Sequence, residues 1–183
     1  MLFVKFFISD THFYHENIIG FSNRPFDNVA EMNQTMINNW NDVIDETDEV
    51  YILGDLVVRG SGRQANEILK QLNGVKYLIK GNHENYLTDP EFDSSYFEWI
   101  KDYYSFKYNK QTIVLFHYPI LEWDKFYNNS IHLFGHVHDK GIEFFRNTLG
   151  SRAINVGVDL NEFYPISIEQ VLSIVKSREN KLL

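Results

Sequence analysis

Five short apolar runs in this chain each stop abruptly at polar residues, and that pattern leaves few architectures open. Phe3–Ile8, Val50–Leu53, Tyr77–Ile79, Ile113–Phe116 and Ile131–Phe134 are rich in β-branched and aromatic residues, and each soon gives way to Gly, Asp, Asn or His. Runs this short and this apolar suit strands buried in a sheet and leading into loops. Helical spacing separates them. Val29, Met32, Met36, Ile37, Trp40, Val43 and Ile44 line one helix face, with Asp27 or Asn28 as cap and Glu31 placed for a capping box on Asn28. Ala65, Ile68, Leu69 and Leu72 mark a second, shorter helix. The pattern predicts a third over Tyr96–Tyr104, carrying Trp99 on an apolar face, and a fourth from about Ser167 to Lys176, with Ser167 and Gln170 as reciprocal caps. Strands alternating with helices make an α/β architecture. In such folds the loops beyond the carboxyl ends of strands line the active site.

No repeat, low-complexity tract or linker interrupts the 183 residues, so a single domain over 1–183 is expected. Cysteine is absent, which removes disulfides, zinc–thiolate sites and thiol catalysis together. Any metal must be held by nitrogen and oxygen, and seven His and 25 acidic residues can supply both. The net charge of -8 repels a long nucleic-acid backbone unless a local basic patch or bound cations offset it. The opening MLFVKFFISD has no signal-peptide cleavage pattern and is too short to cross a bilayer, so no membrane partner is expected and the default location is cytoplasmic.

The polar residues at the run ends carry the chemistry. Asp10 and His12 follow the first run, and on an extended segment residues i and i+2 point the same way, so both can reach one ion. Gly54-Asp55, Gly81-Asn82-His83-Glu84, His117 and Gly135-His136-Val137-His138 end the other four. Each motif alone is weak, since Gly-Asp is usually a turn and a lone strand-end His usually structural. Their order, each closing a separate predicted strand, points to a two-metal site.

That ordered set resembles the calcineurin-like metallophosphoesterase family over most of the chain. Asp10-Thr-His-Phe-Tyr-His-Glu-Asn-Ile-Ile, Arg24-Pro-Phe and Asn155-Val-Gly-Val-Asp-Leu-Asn are similar to its small, single-domain prokaryotic or phage-type members. The resemblance implies two central mixed β-sheets flanked by helices, a four-layer αββα sandwich with metals above the strand ends. It also implies that Asp10, His12 and His138 hold one divalent ion, that Asn82, His117 and His136 hold a second, and that Asp55 bridges them. His83 is then the catalytic histidine that binds no metal. Two cations roughly 3.5–4 Å apart need a shared anion and generate a hydroxide nucleophile near neutral pH. Carboxylate, amide and imidazole donors favour Mn2+, with Fe, Zn2+ or Ni2+ as alternatives, over Ca2+.

The resemblance implies a metal-dependent phosphoesterase, acting on phosphodiesters of a nucleotide or nucleic-acid end. A Ser/Thr protein phosphatase is one alternative, because Gly54-Asp-Leu-Val-Val-Arg-Gly is similar to that signature. The signature, however, has an Asp where Val58 stands, which leaves the partner of His83 unidentified. A non-catalytic binding module on the same fold is another, as in the retromer subunit, which lacks the catalytic histidine. Arg24, His15 and Arg59 are candidate substrate contacts. Tyr118 and Trp123 are candidate walls of the site, and Asp124 has no assigned task. His132 reads as a packed structural residue, and Trp40 and Trp99 as core.

Overall fold

The computed structural model describes residues 3–180. The first sheet collects β1 (Lys5–Ile8), β2 (Glu49–Ile52), β3 (Val75–Ile79), β4 (Phe97–Lys101) and β9 (Ile166–Ser167) in the order β4-β3-β2-β1-β9. Its strands are parallel except β9, which runs antiparallel to β1. The second sheet orders β5 (Tyr103–Tyr108), β6 (Gln111–Phe116), β7 (Ile131–Phe134) and β8 (Ala153–Asn155) in sequence, with only the β5–β6 pair antiparallel.

The central strands of both sheets are buried on both faces, and side-chain alternation sorts the layers. Phe6, Ile8, Val50 and Ile52 face outward onto α2 (Val29–Val43) and α3 (Gly62–Leu69), among Met32, Met36, Trp40 and Ile68, and the short α1 (Asn17–Phe21) adds Ile18 to this layer. Phe7, Tyr51, Leu53 and Ile79 face inward and meet Ile113, Leu115, Ile131 and Leu133 of the second sheet. α5 (Ile168–Asn180) closes this inner layer with Ile168, Val171 and Val175. The outer face of the second sheet carries Val114, Phe134, Trp123 and Leu149, the last from α4 (Ile142–Leu149). The architecture is therefore the expected pair of mixed sheets between helices.

The caps follow local chemistry. Asn28 Oδ1 accepts from the Glu31 N–H at 3.0 Å, while the Glu31 carboxylate accepts from the Asp27 N–H rather than from Asn28. Ser167 and Gln170 form the predicted reciprocal pair at the start of α5. Ser61 and Gln64 do the same for α3, a box the sequence reading passed over.

The predicted third helix is not a helix. Phe97–Lys101 and Tyr103–Tyr108 are the strands β4 and β5, with Asp102 between them. Their Tyr, Phe, Trp and Ile content favours a pleated surface. Trp99 packs on a strand, 5.0 Å from the Tyr77 ring centroid and 4.7 Å from that of Tyr104. Trp40 is core, as expected, and its indole N–H donates to Asn73 O. Among the described residues no helix is long and apolar enough to cross a membrane.

Candidate metal centre

The predicted ligands all converge beyond the carboxyl ends of β1, β2, β3, β6 and β7. Asp10 and His12 follow β1, Asp55 follows β2, Asn82 follows β3, His117 follows β6, and His136 and His138 follow β7. Facing ligand atoms of Asp10, His12 and His138 lie within 4.8 Å of one another, as do those of Asp10, Asp55 and His117. Asn82 Oδ1 stands 3.1 Å from His117 Nε2 and 3.0 Å from His136 Nδ1. Donors bound at about 2.1 Å around one cation are themselves roughly 3 Å apart, so the second set is already gathered at ligand spacing. Asp55 Oδ2 lies between the two sets, 3.5 Å from His12 Nε2 and 3.8 Å from His117 Nε2.

The backbone that delivers these groups is unusual. Asp10, His12, Asp55, His136 and His138 all have φ between 51° and 70°, the left-handed region. Few residues other than glycine adopt it, Asp and His among the more tolerant, and such conformations persist where surrounding structure holds them. The extended i, i+2 geometry expected for Asp10/His12 is thus replaced by left-handed turns, and both side chains reach the site that way. Backbone bonds lock the turn: the Asp10 N–H donates to Gly54 O and the His12 N–H to Asp55 O, both at 3.0 Å. The motif glycines make room. A Cβ on Gly81 would overlap Asp55 Oδ1, and one on Gly135 would overlap Ser9 Oγ and Asp10 Oδ2.

Second contacts decide which atoms face the centre. Asp10 Oδ2 accepts from the Ser9 hydroxyl at 2.7 Å and the His136 N–H at 2.8 Å. His117 Nδ1 donates to Leu53 O at 2.7 Å, which leaves Nε2 as the lone-pair nitrogen. His138 Nδ1 is held by Asp159 Oδ2 at 2.7 Å, with the same result. Asp10 Oδ1 and His12 Nε2 are buried with no hydrogen-bond partner in the protein. Buried polar atoms are rarely left so, and a carboxylate oxygen beside an imidazole nitrogen fits a divalent cation.

Electrostatics point the same way. Burial opposes ionisation of Asp10 and Asp55, but the neighbouring His12 imidazole and the charges of the other nearby histidines hold both carboxyls below the usual range. Burial works against a charged His12 as well, and the Asp10 and Asp55 carboxylates outweigh it and raise its pKa. A field that attracts a proton to this spot also attracts a metal ion. Burial, then the Asp55 charge, pushes Glu84 up to about 7; its carboxyl accepts from the Leu56 and Gly81 N–H groups and so ties the loops after β2 and β3 together.

A family model described as calcineurin-like phosphoesterase matches residues 6–98. An uncharacterised protein of Methanocaldococcus jannaschii is 35% identical over 173 residues, 93% of this chain and 90% of that protein. This chain belongs to the calcineurin-like phosphoesterase family. The gene 66 protein of Mycobacterium phage L5 is 32% identical over 80 residues, 43% of this chain and 38% of that protein. A solved structure of a protein of unknown function from Aquifex aeolicus shares the fold, with a TM-score of 0.74 at 28% identity, covering 94% of this chain and 100% of that one. The family match carries Asp10, His12, Asp55, Asn82 and His83. His117, His136 and His138 lie beyond it, and the second sheet brings them to the same place.

As a calcineurin-like phosphoesterase the chain has its own departures. Val58 is buried, an apolar residue where the protein-phosphatase signature has a carboxylate. The His83 N–H donates to Asp55 Oδ1 at 3.0 Å, and its half-buried ring stands edge-on to His12 at 5.7 Å between centroids. Arg24, a candidate substrate contact, is withdrawn from solvent. Its side chain is wholly buried, and its guanidinium donates to Asp10 O, Thr11 O and both oxygens of Asp159. It braces the Asp10 loop instead. His15 is buried against His12, with Nδ1 atoms 3.1 Å apart, and burial with nearby positive charge lowers its pKa to about 4. Arg59 stays exposed, with φ 62°.

Tyr118 flanks the site edge-on to His117 and His136. Trp123 does not; it is buried on the outer face of the second sheet and donates to Ser130 Oγ. His132 is packed beside it as expected. Asp124 is exposed and uses its carbonyl to accept from Ser130. The sequence reading named the segments that hold Glu84, Asn155 and Asp159 without giving those side chains a role, and it passed over Ser9; the Asn155 side chain donates to His138 O. The one available clue was that a ligand histidine usually has a carboxylate behind it.

Proposed function

We propose that this chain is a metal-dependent phosphodiesterase that cleaves phosphodiesters of a nucleotide or a nucleic-acid end. The observation that carries the reading is the position of Asp55 between two separately assembled donor sets, beside two orphaned buried ligand atoms. Asp10, His12 and His138 would hold one divalent cation, Asn82, His117 and His136 the other, and Asp55 both. Mn2+ suits these donors first, with Fe, Zn2+ and Ni2+ as alternatives. Bound there, the pair would polarise phosphoryl oxygens and activate an attacking water near neutral pH.

The protein's own residues supply the rest. Leu53 O and Asp159 fix the tautomers of His117 and His138, so that no reorientation is needed when substrate arrives. His83, in neither donor set, would give a proton to the leaving oxygen. Tyr118 walls the His136 side, and the exposed Arg59 is available to a phosphate.

Metal-stripped protein tested on bis-p-nitrophenyl phosphate and p-nitrophenyl phosphate, with and without Mn2+, decides the matter. Manganese-dependent turnover favouring the diester is expected. His83→Ala should keep its metal and lose about 10²–10⁴ in rate. Failure to turn over either compound with two metals bound would overturn the catalytic reading in favour of a binding module.

A further inference from the structure

A cavity of about 1000 Å³ lies along β8, walled by α4 and α5. Its lining is at odds with the charge of the whole protein. No Asp or Glu lines it, in a chain of net charge -8, yet two arginines do, Arg146 from α4 and Arg178 from α5. Among the described residues neither guanidinium has an ion-pair partner. Arg178 Nη1 donates to Ala153 O at 2.9 Å, and its remaining donors are uncommitted. Burial first, and the nearby Arg146 charge second, depress the Arg178 pKa, as happens when two cations share a space without an anion. Asn147, Ser151, Ser173 and Ser177 add further hydrogen-bonding groups, while Phe134, Ile154, Leu160 and Ile174 make an apolar floor.

The cavity adjoins the metal centre. Val137 and Phe145 line both it and the shallow depression that contains His136, His138 and Lys140. Asn155, on its wall, is hydrogen-bonded to the backbone of His138. From Asn155 to Ala153, where Arg178 is anchored, β8 recedes from the centre by about 6–7 Å at the usual strand rise.

We propose that this cavity is a nucleotide subsite: Arg146 and Arg178 take a phosphate and the apolar floor takes the base of a nucleotide unit on one side of the phosphodiester at the metal centre. Paired guanidiniums suit phosphate oxygens, and an apolar surface accepts any base face. The inference rests on the phosphodiesterase reading for the direction in which substrate runs, but binding in the cavity needs no turnover.

The test uses the full chain, freed of metal by chelation, and fluorescein-labelled pentathymidylate followed by anisotropy. Saturable binding that weakens with salt is expected. Arg146→Gln, on an exposed helical position where folding is not at stake, should weaken it about tenfold and flatten the log–log salt slope by about one. Displacement of the label by AMP would show that one nucleotide suffices; displacement by the unlabelled oligomer alone would identify the polymer as the ligand. Either result upholds the subsite. Absence of binding, binding indifferent to Arg146→Gln, or displacement by inorganic phosphate as readily as by AMP would overturn it. Arg146-dependent binding in a protein inert toward the p-nitrophenyl esters would remove the catalytic reading alone, and turnover without binding would remove the subsite alone.

Discussion

Asp159 supports the candidate centre from behind, and although the segment that holds it stands out in the sequence, its role does not. Its carboxylate holds His138 Nδ1 on one side and the buried Arg24 guanidinium on the other, and Arg24 in turn grips the backbone of Asp10 and Thr11. Asp159→Ala should therefore do two things. Metal affinity should fall about 10–100-fold, the usual loss when a ligand's supporting carboxylate is removed. Stability should fall by about 3–5 kcal/mol, because Arg24 is left as an uncompensated buried charge. The double variant Arg24→Met, Asp159→Leu separates the effects: part of the stability returns, measured by urea denaturation, while metal affinity, measured by chelator competition, does not. Wild-type affinity in either variant would show that His138 needs no orientation. Asp10, His12, Asp55, Asn82, His83, His117, His136 and His138 were all visible in the sequence because each closes an apolar run. Arg24 and Asp159 are 135 residues apart in the chain, and no periodicity pairs one arginine with one of 25 acidic residues.

Among the elements, β7 carries a pH-dependent load. His132 sits fully buried in it, against Trp123 and Phe134, with its ring nitrogens directed at Val114 O and Tyr118 O. Burial lowers its pKa to about 4 from 6.5. The folded state thus favours the neutral ring. Above pH 6.5 neither state is protonated and the residue leaves stability unaffected by pH. Between 6.5 and about 4 only the unfolded chain takes the proton, so stability falls by up to about 1.4 kcal/mol per pH unit. His132→Phe should make the decline shallower over that interval. Parallel denaturation profiles for the two proteins would place the titration elsewhere.

The elements that eluded the sequence reading did so for definite reasons. β8 and β9 have three and two residues, too few to show a period. α4 buries only Leu149, so no apolar stripe marks it. Phe97–Tyr108 is so aromatic that both periods fit, and pairing with β3 and β6 decides for strand.

At the scale of the whole molecule, the donors are divided between two sheets. Asp10, His12, Asp55 and Asn82 come from the first, and His117, His136 and His138 from the second. A cation held by both sets joins sheets that otherwise meet through apolar side chains such as Phe7, Tyr51, Ile113 and Leu133. Metal at about 100 times its dissociation constant should add about 2.7 kcal/mol for each site. Calorimetry of the Mn2+-loaded and chelated protein should show one cooperative transition over residues 1–183, moved upward by the metal. An identical midpoint in both would argue against a bound cation.

The separation of Asp10 from His138 along the chain bears on how the protein is made. On the proposed assignment, a nascent polypeptide carries Asp10 and His12 early but gains His138 only after the whole of β7 has been synthesised, and Asp159 comes 21 residues later still. Until then the first donor set is open on one side. On that assignment, capture of the first cation would report that translation has passed His138, and a chain that stops short of it would lack a complete first donor set.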